Sequence, residues 1–213
     1  MTDPLNSWSE DNSRLYRLIA PAAVPARAEQ IATLLSLLPF EQDAEFHAVD
    51  VGAGEGILSA CLLACFPRAT VTALDGSVEM REQTQQQLAR FGARGQVAAF
   101  ELAQTGWHAH LNNTDAVLSS LCLHHLPGTE KQQLFTVIYR ALSARGVLAI
   151  ADLVEPQRPE AATLFATSWD HVTKQQSIQL TESTQLFEMF QQVEWNLYRY
   201  PDPYDKPSPL YQQ

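Results

Sequence analysis

A glycine-rich loop between two apolar strands constrains this chain more than any other feature. The segment HAVDVGAGEGILSACLLACFPRATVTALDGS, residues 47–77, predicts a strand, a loop containing Gly52, Gly54 and Gly56, a helix, and a second strand that ends at Asp75. Loops of this kind, placed at the N-terminus of a helix, bind the phosphate or nucleoside part of a cofactor. The segment therefore predicts a nucleotide-like ligand where the strands end.

The chain between residues 24 and 154 alternates apolar strands with helical segments. Three further strands are predicted at QVAAFEL, DAVLSSL and GVLAIADLV, and other helices at VPARAEQIATLLSLL, SVEMREQTQQQLARFG and TEKQQLFTVIYRALSARG. Strands that are apolar almost throughout and alternate with helices form a parallel sheet covered on both faces. We therefore predict an α/β fold with a Rossmann-like, doubly wound sheet of about five parallel strands in the order 3-2-1-4-5.

Local signals predict where some helices begin, end and face the core. Ser77 precedes the second helix of the glycine-loop region as an N-cap, and Gly92 follows it as a C-cap. The helix at 129–146 has helical spacing of its apolar residues, so one face is expected to turn inward. The residues expected on that face are Leu134, Val137, Ile138, Ala141 and Leu142.

Helical segments precede and follow the sheet. After Val154, residues 158–178 and 182–199 have helical patterns, and KPSPLYQQ looks like the first turn of another helix, with Ser208 as N-cap and Pro209 next. We therefore expect the chain to be truncated at its C-terminus. The expected division has three parts: an N-terminal helical cap at 1–45, a cofactor-binding Rossmann-like core at 46–154, and a helical acceptor or lid region at 155–213.

Composition limits the partners and the compartment. The 213 residues include 14 Lys and Arg against 24 Asp and Glu, a formal charge of −10, and no run of basic residues interrupts this acidity. Direct binding to a nucleic-acid backbone is therefore not expected, since it needs a basic surface. The polar N-terminus has no signal-peptide pattern, and the longest apolar stretch, Ile57–Phe66, is too short to cross a bilayer. We expect a cytoplasmic protein without membrane contact.

Cysteine and histidine spacing predicts neither a disulfide framework nor a metal site. The chain has three cysteines, an odd number without a secretion signal, and Cys61 and Cys65 fall on one face of a predicted helix, as buried apolar residues would. The histidines outside the fourth strand have no metal-ligand spacing, so no bound metal is expected. These are His47, His108, His110 and His171.

The loop pattern distinguishes between classes of cofactor. The glycines follow GxGxG, whereas the dinucleotide fingerprint GxGxxG would need glycine where Ile57 stands. Asp50, two residues before the first glycine, would repel a pyrophosphate but attract an ammonium or a sulfonium. Asp75 ends the second strand, where a carboxylate accepts hydrogen bonds from ribose hydroxyls, and Met80 follows where an adenine ring could pack. The pattern suits a cofactor that is cationic at one end and a nucleoside at the other, such as S-adenosylmethionine.

Three segments carry a family resemblance: VDVGAGEG, LDGSVEM and DAVLSSLCLHHL resemble successive motifs of the class I S-adenosylmethionine-dependent methyltransferases. The resemblance covers about residues 24–154, and the last segment is similar to the small-molecule and tRNA-modifying branches. It implies methyl transfer from S-adenosylmethionine. It also implies cofactor contacts as follows: Asp50, Gly52, Ala53 and Gly54 at the methionine part, Asp75 and Gly76 at the ribose, Glu101 and Leu102 at the adenine, Ser120 and Leu121 at the sulfonium side, and Tyr16 as a lid.

The same family usually ends its sheet with a β-hairpin beside the fifth strand. Nothing after residue 199 supplies both strands of such a hairpin. We therefore expect the fifth strand, GVLAIAD, to be an uncovered apolar edge, and such an edge can pair with another chain. Self-association through this strand is one expectation.

Candidate catalytic residues lie just after the fourth strand. His125 is the candidate general base, and His124 is the alternative; the competing interpretation is a hydrogen bond that fixes the loop. Methyl transfer needs a base only when the nucleophile is protonated, so no catalytic residue is required. Residues that could shape the acceptor site are Asp152, Trp169, Asp170 and Tyr204.

Four functions are compatible with this pattern to different degrees. The first is methyl transfer to a small molecule or modified base, and the second is cofactor binding or self-association without turnover. A nicotinamide-dependent oxidoreductase is opposed by Ile57 and Asp50. Carboxymethyl transfer to a tRNA base from a carboxylated cofactor would need a cation near the sulfonium. The candidates for that cation are Arg14, Arg17, Arg27 and Arg199.

Overall fold

One five-stranded parallel sheet forms the centre of the structure, a computed structural model that describes residues 9–102 and 104–200. The strand order is β3-β2-β1-β4-β5, and every neighbouring pair is parallel. The strands are β1 (His47–Val51), β2 (Thr70–Asp75), β3 (Gly95–Ala99), β4 (Thr114–Ser120) and β5 (Leu142–Ala151). The predicted fold class and strand order are confirmed.

Seven α-helices accompany the sheet within the described ranges. They are α1 (Glu10–Ala23), α2 (Arg27–Ser36), α3 (Ile57–Cys65), α4 (Val78–Leu88), α5 (Gly128–Ala141), α6 (Pro159–Thr181) and α7 (Gln185–Gln192). No helix among these is both long and apolar enough to cross a membrane. The proposed helix start at Ser208 and Pro209, and the acceptor candidate Tyr204, lie outside the described residues.

The chain divides into two compact units. One contains residues 28–152 and the whole sheet, and the other contains residues 1–27 and 153–213, of which 9–27 and 153–200 are described. The expected boundaries near residues 45 and 154 stay a prediction. We call these units the sheet unit and the helical unit and treat each by itself.

Both faces of the sheet are buried, as the apolar strands predict. Alternate strand residues belong to two apolar clusters. Ala48 and Leu118 contribute to one cluster with residues of α2 and α3, whereas Val49 and Val117 contribute to the other with residues of α5. Because successive side chains of a strand point to opposite faces, this division shows that helices cover both sides. The helical unit has a smaller core around Ile19, Ala23 and Phe190.

Three local predictions differ from the structure. The side chain of Ser77 accepts a hydrogen bond from the backbone N–H of Met80, which confirms the N-cap, but α4 ends at Leu88 and a 3₁₀ helix follows, so Gly92 is not its C-cap. The helix predicted at 129–146 ends at Ala141, and β5 begins directly after it. The helix predicted at 182–199 covers only Gln185–Gln192.

The outer side of β5 has no partner strand among the described residues. Its inner side pairs with β4, with a bulge: Thr114 faces Leu142 whereas Ala116 faces Val147. Val147 and Ile150 are only partly buried. Within the described part of the chain, β5 is therefore an edge strand, and an edge of this kind can pair with another chain.

Candidate functional site

The glycine-rich loop leaves β1 at the carboxyl edge of the sheet and turns sharply into α3. The three glycines have positive φ angles, 73° at Gly52, 58° at Gly54 and 76° at Gly56, a region that side chains strongly disfavour. The backbone N–H groups of Gly52 and Ala53 both donate to the carbonyl of Leu74, at 3.0 and 2.9 Å. These bonds fix the loop against the end of β2.

Asp75 joins the end of β2 to the glycine loop. Its Oδ2 atom accepts from the backbone N–H of Gly54 at 2.8 Å, and its Oδ1 atom accepts from the backbone N–H of Ser77 at 2.9 Å. Arg81 donates to the carbonyl oxygens of Asp75 and Gly76. Both oxygens of this half-buried carboxylate therefore accept backbone N–H groups, one in the glycine loop and one just after β2.

Asp50 is a buried carboxylate beneath the loop. Only 1% of the residue is exposed, and its Oδ2 atom accepts from the Ser59 hydroxyl at 2.7 Å. Ser59 belongs to α3, so this bond joins the strand before the loop to the helix after it. The charge of Asp50 is thereby held at the end of β1, where the sequence places the cationic end of a ligand.

The segment after β4 returns to the same place. A Cβ atom at Gly52 would lie 2.3 Å from the Sγ atom of Cys122, so the thiol packs directly on the glycine backbone. Desolvation raises the pKa of the Cys122 thiol, and the carboxylates of Asp152, Asp75 and Asp50 raise it further. Three carboxylates, at the ends of β1, β2 and β5, therefore act electrostatically on one thiol.

The end of β4 has an uncommon backbone conformation. Ser119 is buried, and its hydroxyl donates to the carbonyl of Val51 at 2.9 Å. Leu121 has a φ angle of 55°, and its N–H donates to the carbonyl of Ala151. A leucine in the left-handed region is strained, and such residues concentrate at functional sites. This turn places Leu121 and Cys122 between the ends of β1 and β5.

His124 is held by Asp152, which follows β5. Nδ1 of His124 donates to Oδ1 of Asp152 at 2.6 Å, and the His124 backbone N–H donates to Oδ2 at 3.1 Å. The side chain of Asp152 has no exposed surface, and His124 is buried as well. The ring of the half-buried His125 lies 4.0 Å from the ring of His124, centroid to centroid. The ring of His124 therefore does fix the loop, but its partner is the carboxylate of Asp152 and not the backbone that the alternative interpretation expected.

A family model agrees with this geometry. Residues 48–146, which run from β1 into β5, match the model for a methyltransferase domain. The match assigns this segment, slightly less than half of the chain, to the methyltransferase domains. S-adenosylmethionine is the cofactor of that family, in agreement with the cofactor that the sequence predicts.

Two solved structures share the fold of this domain, and a third aligns less closely. A putative sarcosine dimethylglycine methyltransferase from Galdieria sulphuraria aligns with a TM-score of 0.54 and 16% identity, over 76% of this chain and 66% of its own. LaPhzM aligns with a TM-score of 0.50 and 20% identity, over 70% of this chain and 42% of its own. A precorrin-6y C5,15-methyltransferase from Geobacter metallireducens aligns with a TM-score of 0.48 and 23% identity, over 68% of this chain and 72% of its own.

These comparisons leave the reaction partner undefined. The chain spans less than half the length of several matched structures, for example 42% of LaPhzM and 35% of a coclaurine N-methyltransferase. At such identities a shared fold does not fix an acceptor. No curated protein shows a significant match to the chain.

The structure brings most of the predicted cofactor residues of the methyltransferase domain to one edge of the sheet. Asp50, the glycine loop, Asp75 and Ser120 lie at strand ends. β3 ends at Ala99, so Glu101 and Leu102 follow the strand by two and three residues rather than ending it. Glu101 is exposed and accepts from the side chain of Gln104 at 3.4 Å.

Met80 and Gly76, predicted to bind the cofactor, also pack closely against other residues of the sheet unit. Met80 lies in the first turn of α4 and is buried, so its side chain contributes to the packing beside the loop. A Cβ atom at Gly76 would lie 3.2 Å from the carbonyl oxygen of Phe100, which shows how closely the β2 and β3 ends approach. Their roles in ribose and adenine binding stay predictions.

The candidates in the helical unit have partners within that unit. The ring of Tyr16 lies 5.5 Å from that of Trp195. The indole N–H of Trp169 donates to the carbonyl of Ala23 at 2.7 Å. Asp170 accepts from Asn196 and from Nε of Arg199, both at 2.7 Å. Each contact stabilises the helical unit, and the expected roles of Tyr16, Trp169 and Asp170 in ligand binding stay predictions.

Two features of the site escape sequence reasoning. The contact of Cys122 with Gly52 joins residues 70 positions apart, and the hydrogen bonds of Asp152 with His124 join residues 28 apart. Only the shared position of all four residues at strand ends could have suggested them. Among the residues that the structure describes, no three His, Cys, Asp or Glu side chains form a group that could hold a metal ion.

Proposed function

We propose that this methyltransferase domain binds S-adenosylmethionine at the carboxyl edge of its sheet and transfers the methyl group to a small-molecule acceptor. One arrangement carries the proposal: the buried carboxylate of Asp50 directly precedes the glycine loop, and the carboxylate of Asp75 accepts the backbone N–H of Gly54 within that loop. Carboxylates gathered around a loop repel a phosphate and attract a cation. S-adenosylmethionine carries both a sulfonium and an ammonium group.

The residues present fit the parts of this cofactor. Asp75, whose carboxylate is held in place by its two backbone hydrogen bonds, is assigned to the ribose hydroxyls. Asp50 and the loop residues Gly52, Ala53 and Gly54 are assigned to the methionine part. Glu101, Leu102 and Met80 are assigned to the adenine, and Ser120 and Leu121 to the sulfonium side. Tyr16 is assigned to a lid.

Methyl transfer requires the protein mainly to align the acceptor atom with the methyl group of the cofactor. The cofactor supplies an activated methyl group on a positively charged sulfur. The domain has to hold the acceptor atom in line with it in a site that excludes water. His125 is the residue that we assign to accepting a proton from the acceptor or holding it, because His124 is buried and its Nδ1 atom is committed to Asp152.

Calorimetry with S-adenosylmethionine, S-adenosylhomocysteine and NADH tests the proposal. We expect the first two to bind and NADH not to bind. Binding should be lost in Asp50→Ala, be weakened in Asp50→Asn, and persist in Asp43→Ala, a matched change at an exposed aspartate. Binding of NADH alone, or equal binding by Asp50→Ala and Asp43→Ala, would contradict the assignment. If S-adenosylmethionine binds as expected, candidate acceptors are screened for methyl transfer.

A second candidate function is cofactor binding without turnover, with self-association through β5. The specific observation is the outer side of β5, which has no partner strand among the described residues. Analytical ultracentrifugation tests the self-association. A wild-type dimer that becomes a monomer in Val147→Pro supports pairing through β5, whereas a wild-type monomer at all concentrations rejects it. Carboxymethyl transfer to a tRNA base is a weaker alternative, because Arg14 and Arg199 already pair with Asp11 and Asp170.

A further inference from the structure

Lys131 is a buried lysine whose ammonium group is not hydrogen-bonded within the described part of the fold. It lies in the first turn of α5, its exposed surface is 0%, and its Nζ atom has no hydrogen-bond partner among the described residues. The other described lysine, Lys174, is exposed on α6. Buried lysines are rare and are normally paired, because removing an ammonium from water without a partner is costly.

Lys131 lies close in the chain to the segment that we assign to the acceptor. α5 follows directly after the His124–His125 segment, and the carboxylate that acts on the Lys131 charge is Asp152. Burial lowers the pKa of Lys131, and Asp152 offsets part of that effect. Both oxygens of Asp152 already accept hydrogen bonds from His124. Asp152 is thus within electrostatic range of Lys131 but makes no hydrogen bond to it.

We propose that Lys131 is a specificity-determining residue that binds a carboxylate of a bound molecule beside the His124–Asp152 pair. An ammonium that lacks an acceptor in the folded chain is completed when a ligand oxygen reaches it. This inference rests on the proposed function, since it places the carboxylate on the acceptor. It defines the acceptor class as small organic acids. A carboxylated cofactor would offer the same chemistry, and the test separates the two sources.

The chain is well suited to a direct test because it contains only three lysines, Lys131, Lys174 and Lys206. Lysine labelled with ¹³C and ¹⁵N gives few side-chain signals in NMR spectra, and Lys131→Met identifies the one that belongs to Lys131. The full chain, saturated with S-adenosylhomocysteine, is titrated with benzoate and, separately, with the neutral analogue benzamide. We expect benzoate to shift the Lys131 signal, and benzamide to leave it unchanged. The Lys174 signal should stay constant in both titrations.

Several outcomes would overturn the proposal. Carboxylate recognition is removed if the Lys131 signal responds neither to benzoate nor to a carboxylated S-adenosylmethionine, or if it moves equally with benzamide. An equal shift at Lys174 shows nonspecific binding only. A carboxylated S-adenosylmethionine forms the second arm. Suppose that this cofactor shifts the Lys131 signal, that benzoate does not, and that Lys131→Met binds the cofactor more weakly. Lys131 then recognises a carboxylate of the cofactor instead of one on the acceptor.

Thermal unfolding supplies an independent readout. Lys131→Met keeps the length of the side chain and removes an unpaired buried charge, so the ligand-free variant should melt at a higher temperature. Lys174→Met should leave the melting temperature unchanged. A lower melting temperature for Lys131→Met would mean that the fold itself satisfies the ammonium. Failure of S-adenosylhomocysteine to bind the wild type refutes the proposed function, whereas binding with a silent Lys131 signal refutes only this inference.

Discussion

The thiol of Cys122 packs against the backbone of Gly52, so the turn after β4 closes directly on the loop after β1. The contact leaves no room for a side chain at position 52. It also brings the Cys122 thiol into the field of three carboxylates. The geometry of the glycine loop and the charge of the site therefore depend on the same contact.

Gly52→Ala is expected to distort this contact and the loop. The added Cβ would lie 2.3 Å from Sγ of Cys122, and the backbone angle of 73° disfavours any side chain. We expect a loss of about 1–3 kcal/mol in the free energy of unfolding, as for overpacked sites, together with weaker S-adenosylhomocysteine binding. Urea unfolding and calorimetry measure both. Gly106→Ala, where a Cβ meets no atom within 4 Å, is the control, and equal stability of the two variants would contradict the prediction.

Asp75→Ala should weaken binding of S-adenosylmethionine by about 1–3 kcal/mol, because it removes charge-assisted hydrogen bonds to the ribose. It also removes the acceptors of two backbone N–H groups, from Gly54 and Ser77, so stability should fall too. Calorimetry on folded protein separates the two effects. Asp43→Ala is the matched control, and an unchanged affinity in Asp75→Ala would exclude the ribose assignment.

Asp152→Ala should destabilise the segment that contains both histidines. It removes two hydrogen bonds to a fully buried carboxylate, and bonds to a charged group contribute about 1.5–3 kcal/mol each. We expect a large loss of stability by urea unfolding, and no loss in Asp43→Ala. Stability within experimental error of the wild type would show that the pair is dispensable to the fold.

His125→Ala should separate chemistry from cofactor binding. The ring of His125 packs beside His124 and makes no contact assigned to the cofactor. We expect unchanged affinity for S-adenosylhomocysteine by calorimetry and, once an acceptor is found, a loss of turnover of about 10²–10⁴-fold if His125 is the base. Lost cofactor affinity would reassign the residue to the cofactor site or to the fold.

His47 makes the stability of the sheet unit depend on pH. It begins β1, where its ring nitrogens lie 2.8 and 3.3 Å from the hydroxyls of Thr70 and Thr72. Burial lowers the pKa of His47 below 6.5, and this effect exceeds the opposing one of Asp115. The folded state therefore binds the proton more weakly than the unfolded chain. The free energy of unfolding should be highest above about pH 6.5 and fall as the pH drops below it.

Urea unfolding at about pH 7.5 and about pH 5.5 measures this dependence. His47→Gln should flatten it, since the amide does not titrate. His171→Gln, at an exposed position of α6, should leave it as in the wild type. An identical pH dependence in His47→Gln and the wild type would assign the effect to other groups.

The features that the sequence predicts correctly have local signals. Apolar alternation predicts the sheet and its order, GxGxG predicts the left-handed loop, and Ser77 predicts the start of α4. The errors arise where packing decides. Glu101 follows β3 instead of ending it, and residues 142–145 join β5 although their composition suits a helix. Helical spacing assigns the apolar residues of α5 to the core, and indeed Leu134 and Ile138 are buried. The same spacing puts Lys131 on that face, but lysine as a residue type predicts exposure, so the sequence does not predict its burial.

The left-handed turn at Leu121 has a consequence for protein engineering. A leucine there costs about 1–2 kcal/mol more than a glycine would, because its Cβ crowds the following carbonyl. The chain thus retains a residue that is unfavourable for stability at the end of β4. Leu121→Gly would relieve this strain while removing the half-buried leucine side chain. Any ligand affinity that the variant loses would measure how much of the binding pocket depends on that one rigid turn.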